Sequence, residues 1–333
     1  MELYNFDFSK KIFYHPQKVS DYKEGKRPFP VTLEIDLTNA CNHRCSFCFY
    51  ADNLNRKIVD GVSIPPPKLD IDILKERVTE AGAMGVKGIS FSGGGEPTAH
   101  SGFMDILEHA NSQNIDCGLI TNGSLISRYV DSLASNLQWV RISMAGGDRE
   151  SYLAVQGMDH FDRVLDNIAL LRNASKDVNI GIRVLVTPDN LESLLFLSKK
   201  LIELNVDYLQ LAPDQYTTDK GEFWNSKNTQ KMFRKVDAIL TEIDTKLLTT
   251  TFLATQERLD YPKTCYAHFF QTVITAEGDL IFCKNSRGEH KYILGNINEH
   301  TLSEIWNDEK VLELEGYITA ANCGLFCRCM ALN

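Results

Sequence analysis

Apolar and polar residues alternate from Val31 to Leu37, the period-two pattern of a strand with one buried face. From Ile71 to Met84 the apolar positions recur at helical spacing, and Gly85 and Gly88 bracket the break into a second strand, Gly88 to Phe91. The unit then repeats. Helix Phe103 to Asn114 leads to strand Asp116 to Thr121, and helix Leu125 to Asn136 to strand Trp139 to Met144. Helix Phe161 to Ala174 leads to strand Asn179 to Val186, and helix Leu191 to Leu204 to strand Tyr208 to Ala212. Six strands alternating with helices predict parallel βαβ units with right-handed crossovers and a sheet that curls toward a barrel. Six units are too few to close an eight-fold barrel, so the predicted class is α/β, a partial (β/α)6 TIM-like barrel.

The rhythm stops after Ala212. Pro213 to Asn228 is polar and turn-rich, a helical stretch runs to about Leu248, and the rest reads as a separate cysteine-bearing module. That module has a hairpin, Gln271 to Thr275 and Asp279 to Phe282, turning through Ala276, Glu277 and Gly278, then a helix from about Leu302 to Ile318. The predicted organisation is an N-terminal extension (1–30), a barrel core (31–215), a helical connection (216–260) and a small cysteine-rich domain (261–333).

With 333 residues, 43% of them hydrophobic, the chain can bury a full core. A net charge of -9 argues against broad nucleic-acid binding, which needs a basic face to neutralise phosphates. Residues 1–20 hold no apolar run suited to a signal peptide or membrane span, which predicts a cytoplasmic protein without a membrane partner. In a reducing compartment, nine clustered cysteines point to metal and not to disulfides.

Cys41, Cys45 and Cys48 follow the first strand at C-x3-C-x2-C spacing, with Phe47 just before the last. A zinc loop or packed thiols is the alternative, but structural zinc wants four closed ligands and the local count is three. His43 is the candidate fourth, in a cramped position inside the first loop. The motif closely resembles that of the radical S-adenosylmethionine (SAM) superfamily. The resemblance implies a partial (β/α)6 barrel and a 4Fe-4S cluster held by Cys41, Cys45 and Cys48, with one iron left open for SAM. In parallel α/β folds ligands bind at the C-terminal strand ends, where the remaining motifs fall.

Ser92-Gly93-Gly94-Gly95-Glu96-Pro97-Thr98 follows the second strand, and its glycines let backbone groups approach a ligand. Gly94, Gly95 and Glu96 match the family's GGE motif, which binds the SAM amino group; an ordinary glycine-rich turn is the bland alternative. The resemblance places Phe47 near adenine, and Thr121, Asn122 and Ser143 near ribose and the methionine carboxylate. Arg183 needs a carboxylate partner if it points into the barrel, either that of SAM or an acid of the chain itself. Gln210 and Leu211 fall where the family's backbone meets adenine. Cys265, then Gly278 and Cys283, resembles the opening of SPASM and twitch domains, which hold auxiliary iron-sulfur clusters. Five cysteines after residue 260 suffice for one four-thiolate cluster with one left over, the twitch arrangement. Cys323, Cys327 and Cys329 are spaced C-x3-C-x-C, which departs from the full SPASM pattern. The resemblance implies that two of them complete the auxiliary 4Fe-4S cluster with Cys265 and Cys283, leaving the spare as a structural thiol, an open-site ligand or a hydrogen donor. Cys117 stands apart within a strand, a buried small hydrophobe or a further candidate donor.

The resemblance implies reductive cleavage of SAM, fed by an external electron donor such as flavodoxin or ferredoxin, to a 5'-deoxyadenosyl radical that takes hydrogen from unactivated carbon. Electron loss to the second cluster makes the enzyme an oxidoreductase; hydrogen return from a thiol makes it an epimerase. Only about thirty residues precede the first strand, which favours a small polar metabolite (a sugar, aminoglycoside or nucleoside in natural product biosynthesis) over a peptide with a leader. A peptide-modifying enzyme is the alternative, and a metal-binding or electron-transfer protein without SAM chemistry is the reading from another class.

Overall fold

The computed structural model describes residues 13–48, 50, 57–59, 62–213, 222–241, 246–249 and 266–317. The strands are β1 (Thr32–Asp36), β2 (Lys57–Val59), β3 (Val62–Ile64), β4 (Gly88–Ser92), β5 (Asp116–Thr121), β6 (Trp139–Ser143), β7 (Asn179–Val186), β8 (Tyr208–Pro213), β9 (Lys246–Thr249), β10 (Gln271–Ile274), β11 (Asp279–Ile281) and β12 (Ile293–Asn296). The helices are α1 (Pro16–Lys23), α2 (Ile71–Ala83), α3 (Phe103–Ser112), α4 (Val130–Asn136), α5 (Arg149–Gln156), α6 (Phe161–Ala174), α7 (Leu194–Glu203), α8 (Glu222–Asn225), α9 (Lys227–Thr241), α10 (Leu302–Trp306) and α11 (Glu309–Tyr317). One ten-stranded sheet runs in the order β12-β11-β10-β1-β4-β5-β6-β7-β8-β9, and β2 and β3 form a separate hairpin. From β10 to β9 every neighbouring pair is parallel; the pairs β10–β11 and β11–β12 are antiparallel, so in this sheet β11 alone runs against the other strands.

The six-strand α/β core follows the periodicity. Leu33, Ile35, Phe91, Leu119, Val140 and Ile182 point from the sheet into a layer filled by Leu74, Val78, Ile106, Leu107, Val164 and Ile168 of the covering helices. Asp70 starts α2 by accepting from the backbone N–H groups of Asp72 and Ile73, which leaves two fewer orphan donors at the helix end.

Several local features differ from the periodic reading. α5 was not anticipated; Asp148 and Ser151 cap it reciprocally at its start, and Gly157 ends it at φ 69°. The helix expected to reach Leu248 ends at Thr241, and β9 then adds to β8. The helix expected from Leu302 to Ile318 breaks at Asn307 and Asp308 into α10 and α11. The hairpin expected in a separate module instead joins the main sheet, Thr32 to Ile35 of β1 facing Gln271 to Ile274 of β10. Among the described residues no helix is long and apolar enough to cross a membrane.

The inner face of the sheet is polar above and aromatic below. A Cβ on Gly118 would collide with the Trp139 ring, and one on Gly181 with the Tyr208 ring, so the two glycines admit rings that fill the floor. Above that floor stand Glu34 and Asp36 of β1, Ser92 of β4, Arg141 and Ser143 of β6, Arg183 of β7 and Gln210 of β8.

Candidate active site

Cys41, Cys45 and Cys48 leave the C-terminal end of β1 in a half-buried loop. The Cys48 N–H donates to the Cys45 carbonyl at 3.1 Å, and the start of the loop is pinned to α5 by Arg44 N–H to Gln156 O (3.2 Å) and Ser46 N–H to Val155 O (2.9 Å). Burial pushes the Cys41 thiol up to about 11 and that of Cys45 up to about 12; Cys48 shifts the same way for the same reason. These are thiols that ionise on meeting a cation and not free nucleophiles. Among the described residues no three His, Cys, Asp or Glu side chains form a preassembled metal group. The donor set nonetheless suits iron, because three sulfurs on one short loop are a soft set for iron-sulfur chemistry.

His43 is not turned toward those sulfurs. It is 1% exposed, with Nε2 3.0 Å from His160 Nδ1 and Nδ1 3.3 Å from Gln156 Nε2. Burial and the neighbouring His160 lower it to about 4, so it is a neutral packed residue with both nitrogens engaged.

The glycine motif after β4 closes over the cysteine loop. Gly95 N–H donates to Thr38 O and Glu96 N–H to Ala40 O, both at 2.9 Å. A Cβ on Gly94 would collide with Asn39 and one on Gly95 with the carbonyls of Ala40 and Thr38, so only glycine permits this approach. The Glu96 side chain is spent internally. Its Oε1 accepts from Thr98 N (3.1 Å), Thr98 Oγ1 (2.6 Å) and Thr121 Oγ1 (2.6 Å), and Oε2 from Asn122 N (2.7 Å). Burial pushes this carboxyl up against the pull of those donors. Thr121 and Asn122 thereby brace the glycine turn. Asn122 also donates to Asn42 Oδ1 at 2.8 Å, and Asn42 to Ser124 Oγ at 2.8 Å, which ties the cysteine loop to the end of β5.

Phe47 is half-buried beside Cys48. Ser143 faces Arg183, which faces Gln210, in one row across β6, β7 and β8. Leu211 has its side chain in the core, so only its backbone can meet a ligand. Cys117 lies on the helix-facing side of β5; it is fully buried, its thiol donates to Ile115 O at 3.5 Å, and burial pushes it to about 12. Cys283 is half-buried just after β11, with Ser286 Oγ donating to its carbonyl at 2.6 Å. Cys265, Cys323, Cys327 and Cys329 lie outside the described residues.

The structure adds groups that the linear reading missed. Arg287, four residues after Cys283, reaches β1: Nη2 donates to Glu34 Oε1 at 2.8 Å, Nε to Asp36 Oδ2 at 2.9 Å and Nη2 to Asp36 Oδ1 at 3.1 Å. Burial pushes the Glu34 carboxyl up, but the charges of Arg287 and Lys284, together with hydrogen bonds from Arg287 and Ser92, more than offset it, so Glu34 stays below its ordinary value. Asp36 is held above its own, because burial and the nearby Glu34 and Glu277 outweigh Arg287. Glu277, in the β10–β11 turn, accepts from Asn39 Nδ2 at 2.9 Å. Gln156 joins α5 to the site, accepting from Ala145 N at 2.7 Å and donating to Ser143 O at 3.3 Å. One signal was available for Arg287: two carboxylates on the inward positions of the first strand require a cation.

Residues 35–201 match the model of the radical SAM superfamily, and residues 265–330 match that of the SPASM iron-sulfur cluster-binding domain. Mycofactocin maturase MftC of Mycolicibacterium smegmatis is 29% identical over 181 residues, 54% of this chain and 43% of that protein. GTP 3',8-cyclase of Chlorobaculum tepidum is 28% identical over 200 residues, 58% and 56% of the two chains. The alignments thus span about half of these relatives. Among solved structures, Streptococcus suis SuiB bound to S-adenosylmethionine superposes with a TM-score of 0.69 at 21% identity, over 98% of this chain and 78% of that one. SuiB bound to its precursor peptide SuiA gives the same TM-score at 19% identity, over 99% and 76%. At these identities the likeness is one of fold. The half-barrel sheet, the three-cysteine loop and the glycine turn stitched to it accord with the family match, and the chain belongs to the radical SAM superfamily.

Proposed function

We propose that this radical SAM enzyme modifies a peptide, with the help of an auxiliary iron-sulfur cluster. The observation that carries the peptide reading is the likeness, along 98–99% of the chain, to a fold also solved with a precursor peptide bound; a relative named a maturase supports it. The second reading, oxidation or epimerisation of a small polar metabolite, is supported by the likeness to GTP 3',8-cyclase.

Bound together, the 4Fe-4S cluster and SAM supply hydrogen abstraction from unactivated carbon, and the protein orients and shields that chemistry. Cys41, Cys45 and Cys48 would hold the cluster. The backbone at Gly94 and Gly95, fixed by Glu96, Thr121 and Asn122, would receive SAM, with Phe47 against adenine and Ser143, Arg183 and the Leu211 backbone completing the contacts. Cys265, Cys283 and two of Cys323, Cys327 and Cys329 would hold the auxiliary cluster, leaving one thiol as a candidate hydrogen donor. In this reading residues 31–215 form the barrel core and 261–333 the auxiliary domain, and flavodoxin or ferredoxin supplies the electron.

The test is anaerobic reconstitution followed by SAM turnover under reductant, with mass spectrometry of a short peptide encoded beside the gene. Release of 5'-deoxyadenosine together with a peptide lighter by two hydrogens, or with one that keeps its mass in ordinary water and gains one carbon-bound deuterium in heavy water, supports the reading. Turnover of sugar or nucleoside substrates with the peptide untouched selects the second reading. Zinc in place of iron would oppose both.

A further inference from the structure

Arg141 is charged, lumenal and unused by the site described above. It lies on β6 between Ile120 of β5 and Gly181 of β7, one inward-facing row below Ser143 and Arg183. Its side chain is half-buried; its Nε is shielded from solvent and has no hydrogen-bond partner among the described residues. A shielded guanidinium without a carboxylate is costly, and this one forms no ion pair among the described residues. Burial works against its charge, while Glu34 and Tyr208 favour it at a distance. The neighbouring acids are already held by another cation, since Arg287 binds both Glu34 and Asp36. Gly181 adds no side chain beside Arg141, and the Tyr208 ring covering that glycine makes the surface below.

We propose that Arg141 is a substrate-binding residue that receives a single carboxylate of the substrate, held against the lumen wall beneath the SAM site. A planar two-donor fork fits a carboxylate. The charge count favours a monoanion: Arg141, Arg183 and Arg287 put three positive charges on the lumenal face against the two negative ones of Glu34 and Asp36, so one carboxylate brings the set to neutrality and a dianionic phosphate overshoots it by one. The proposal rests on the peptide reading only for the source of the carboxylate, an acidic side chain or a chain terminus.

The test uses small probes and needs no turnover. Acetyl-glutamate amide carries one side-chain carboxylate, acetyl-glutamine amide is its neutral counterpart, and acetyl-alanine carries a terminal carboxylate. Their affinities for the reconstituted, SAM-loaded protein are read by ligand-observed NMR, and SAM affinity is measured separately. The expected result is that at least one carboxylate probe binds about tenfold or more tighter than the neutral amide, the range of a charge-assisted bond. Arg141→Met should abolish that preference while SAM still binds. The preferred carboxylate probe distinguishes a side chain from a terminus. Arg141→Lys keeps the charge and loses the fork, so it should retain part of the preference and serves if the methionine variant does not fold. Equal binding of charged and neutral probes to the unaltered protein overturns the proposal, as does preference surviving in Arg141→Met. Loss of SAM affinity in step with loss of the probe assigns Arg141 to SAM and overturns it too. A failed probe assay beside intact peptide turnover refutes this proposal alone, whereas probe binding without peptide turnover refutes the peptide reading alone.

Discussion

Replacing Arg287 by methionine isolates one buried cation that joins the segment after Cys283 to the first barrel strand. Side-chain exposure is 14% for Arg287, 14% for Glu34 and 4% for Asp36, so water can replace little of what is lost. Breaking a buried pair by removing one partner costs about 3–5 kcal/mol. Here two carboxylates lose their cation, so the upper part of that range applies at neutral pH. The loss is bounded, because an uncompensated buried carboxyl takes up a proton, at about 1.4 kcal/mol for each unit between its pKa and the pH. In the variant both carboxyls therefore have folded pKa values above their unfolded ones. Their contribution is present at acid pH and fades as pH rises through the folded values, so the variant's deficit should shrink as pH falls. In the unaltered protein Glu34 has the opposite sign: its folded value is lowered, so it stabilises above its ordinary pKa and stops doing so on acidification. Anaerobic urea denaturation, followed by tryptophan fluorescence at neutral and mildly acid pH, reads both quantities. Adding Glu34→Gln and Asp36→Asn to Arg287→Met should recover most of the loss. A neutral-pH deficit below about 1 kcal/mol, the scale of a solvated surface pair, would refute the reasoning. So would a deficit independent of pH.

Other outcomes follow from single contacts. Gly95→Ala should lower both the melting temperature and the iron bound after reconstitution, because its methyl meets two backbone carbonyls; about 2 kcal/mol or more is expected, and unchanged iron loading would contradict the close approach. Gln156→Leu leaves the Ala145 N–H without its acceptor and should cost about 1–3 kcal/mol in thermal unfolding, with no effect if that bond is dispensable. Cys117→Ala should cost about 1 kcal/mol and leave release of 5'-deoxyadenosine intact, since its thiol lies in the sheet-to-helix layer; arrest of turnover would show that layer to be wrongly assigned.

The elements that the sequence announced are those whose burial is periodic. Phe161–Ala174 and Asn179–Val186 appear with the boundaries read from the apolar spacing. α5 escaped because it is only eight residues long and its first turn is polar, with Tyr152, Val155 and Gln156 buried. The three-cysteine loop and the glycine motif were legible because their chemistry is local. Arg287 and Gln156 were not, since they act on partners 251 and 11 residues away whose proximity only the fold creates. The pairing of β10 with β1 is likewise non-local, and alternation within either strand says nothing of its neighbour.

That pairing also sets an order of events during synthesis. Thr32 leaves the ribosome long before Gln271, its partner across the sheet, at a delay on the order of tens of seconds at ordinary elongation rates. Until then one edge of the first strand has no neighbour and the adjoining cysteine loop lacks the Asn39–Glu277 tether. A nascent chain in this interval presents an open strand edge beside three thiols, so aggregation and oxidation compete with completion of the sheet. Slower initiation, cooler growth or a holding chaperone should therefore raise the yield of protein able to take up iron, more than extra iron supplied at the end.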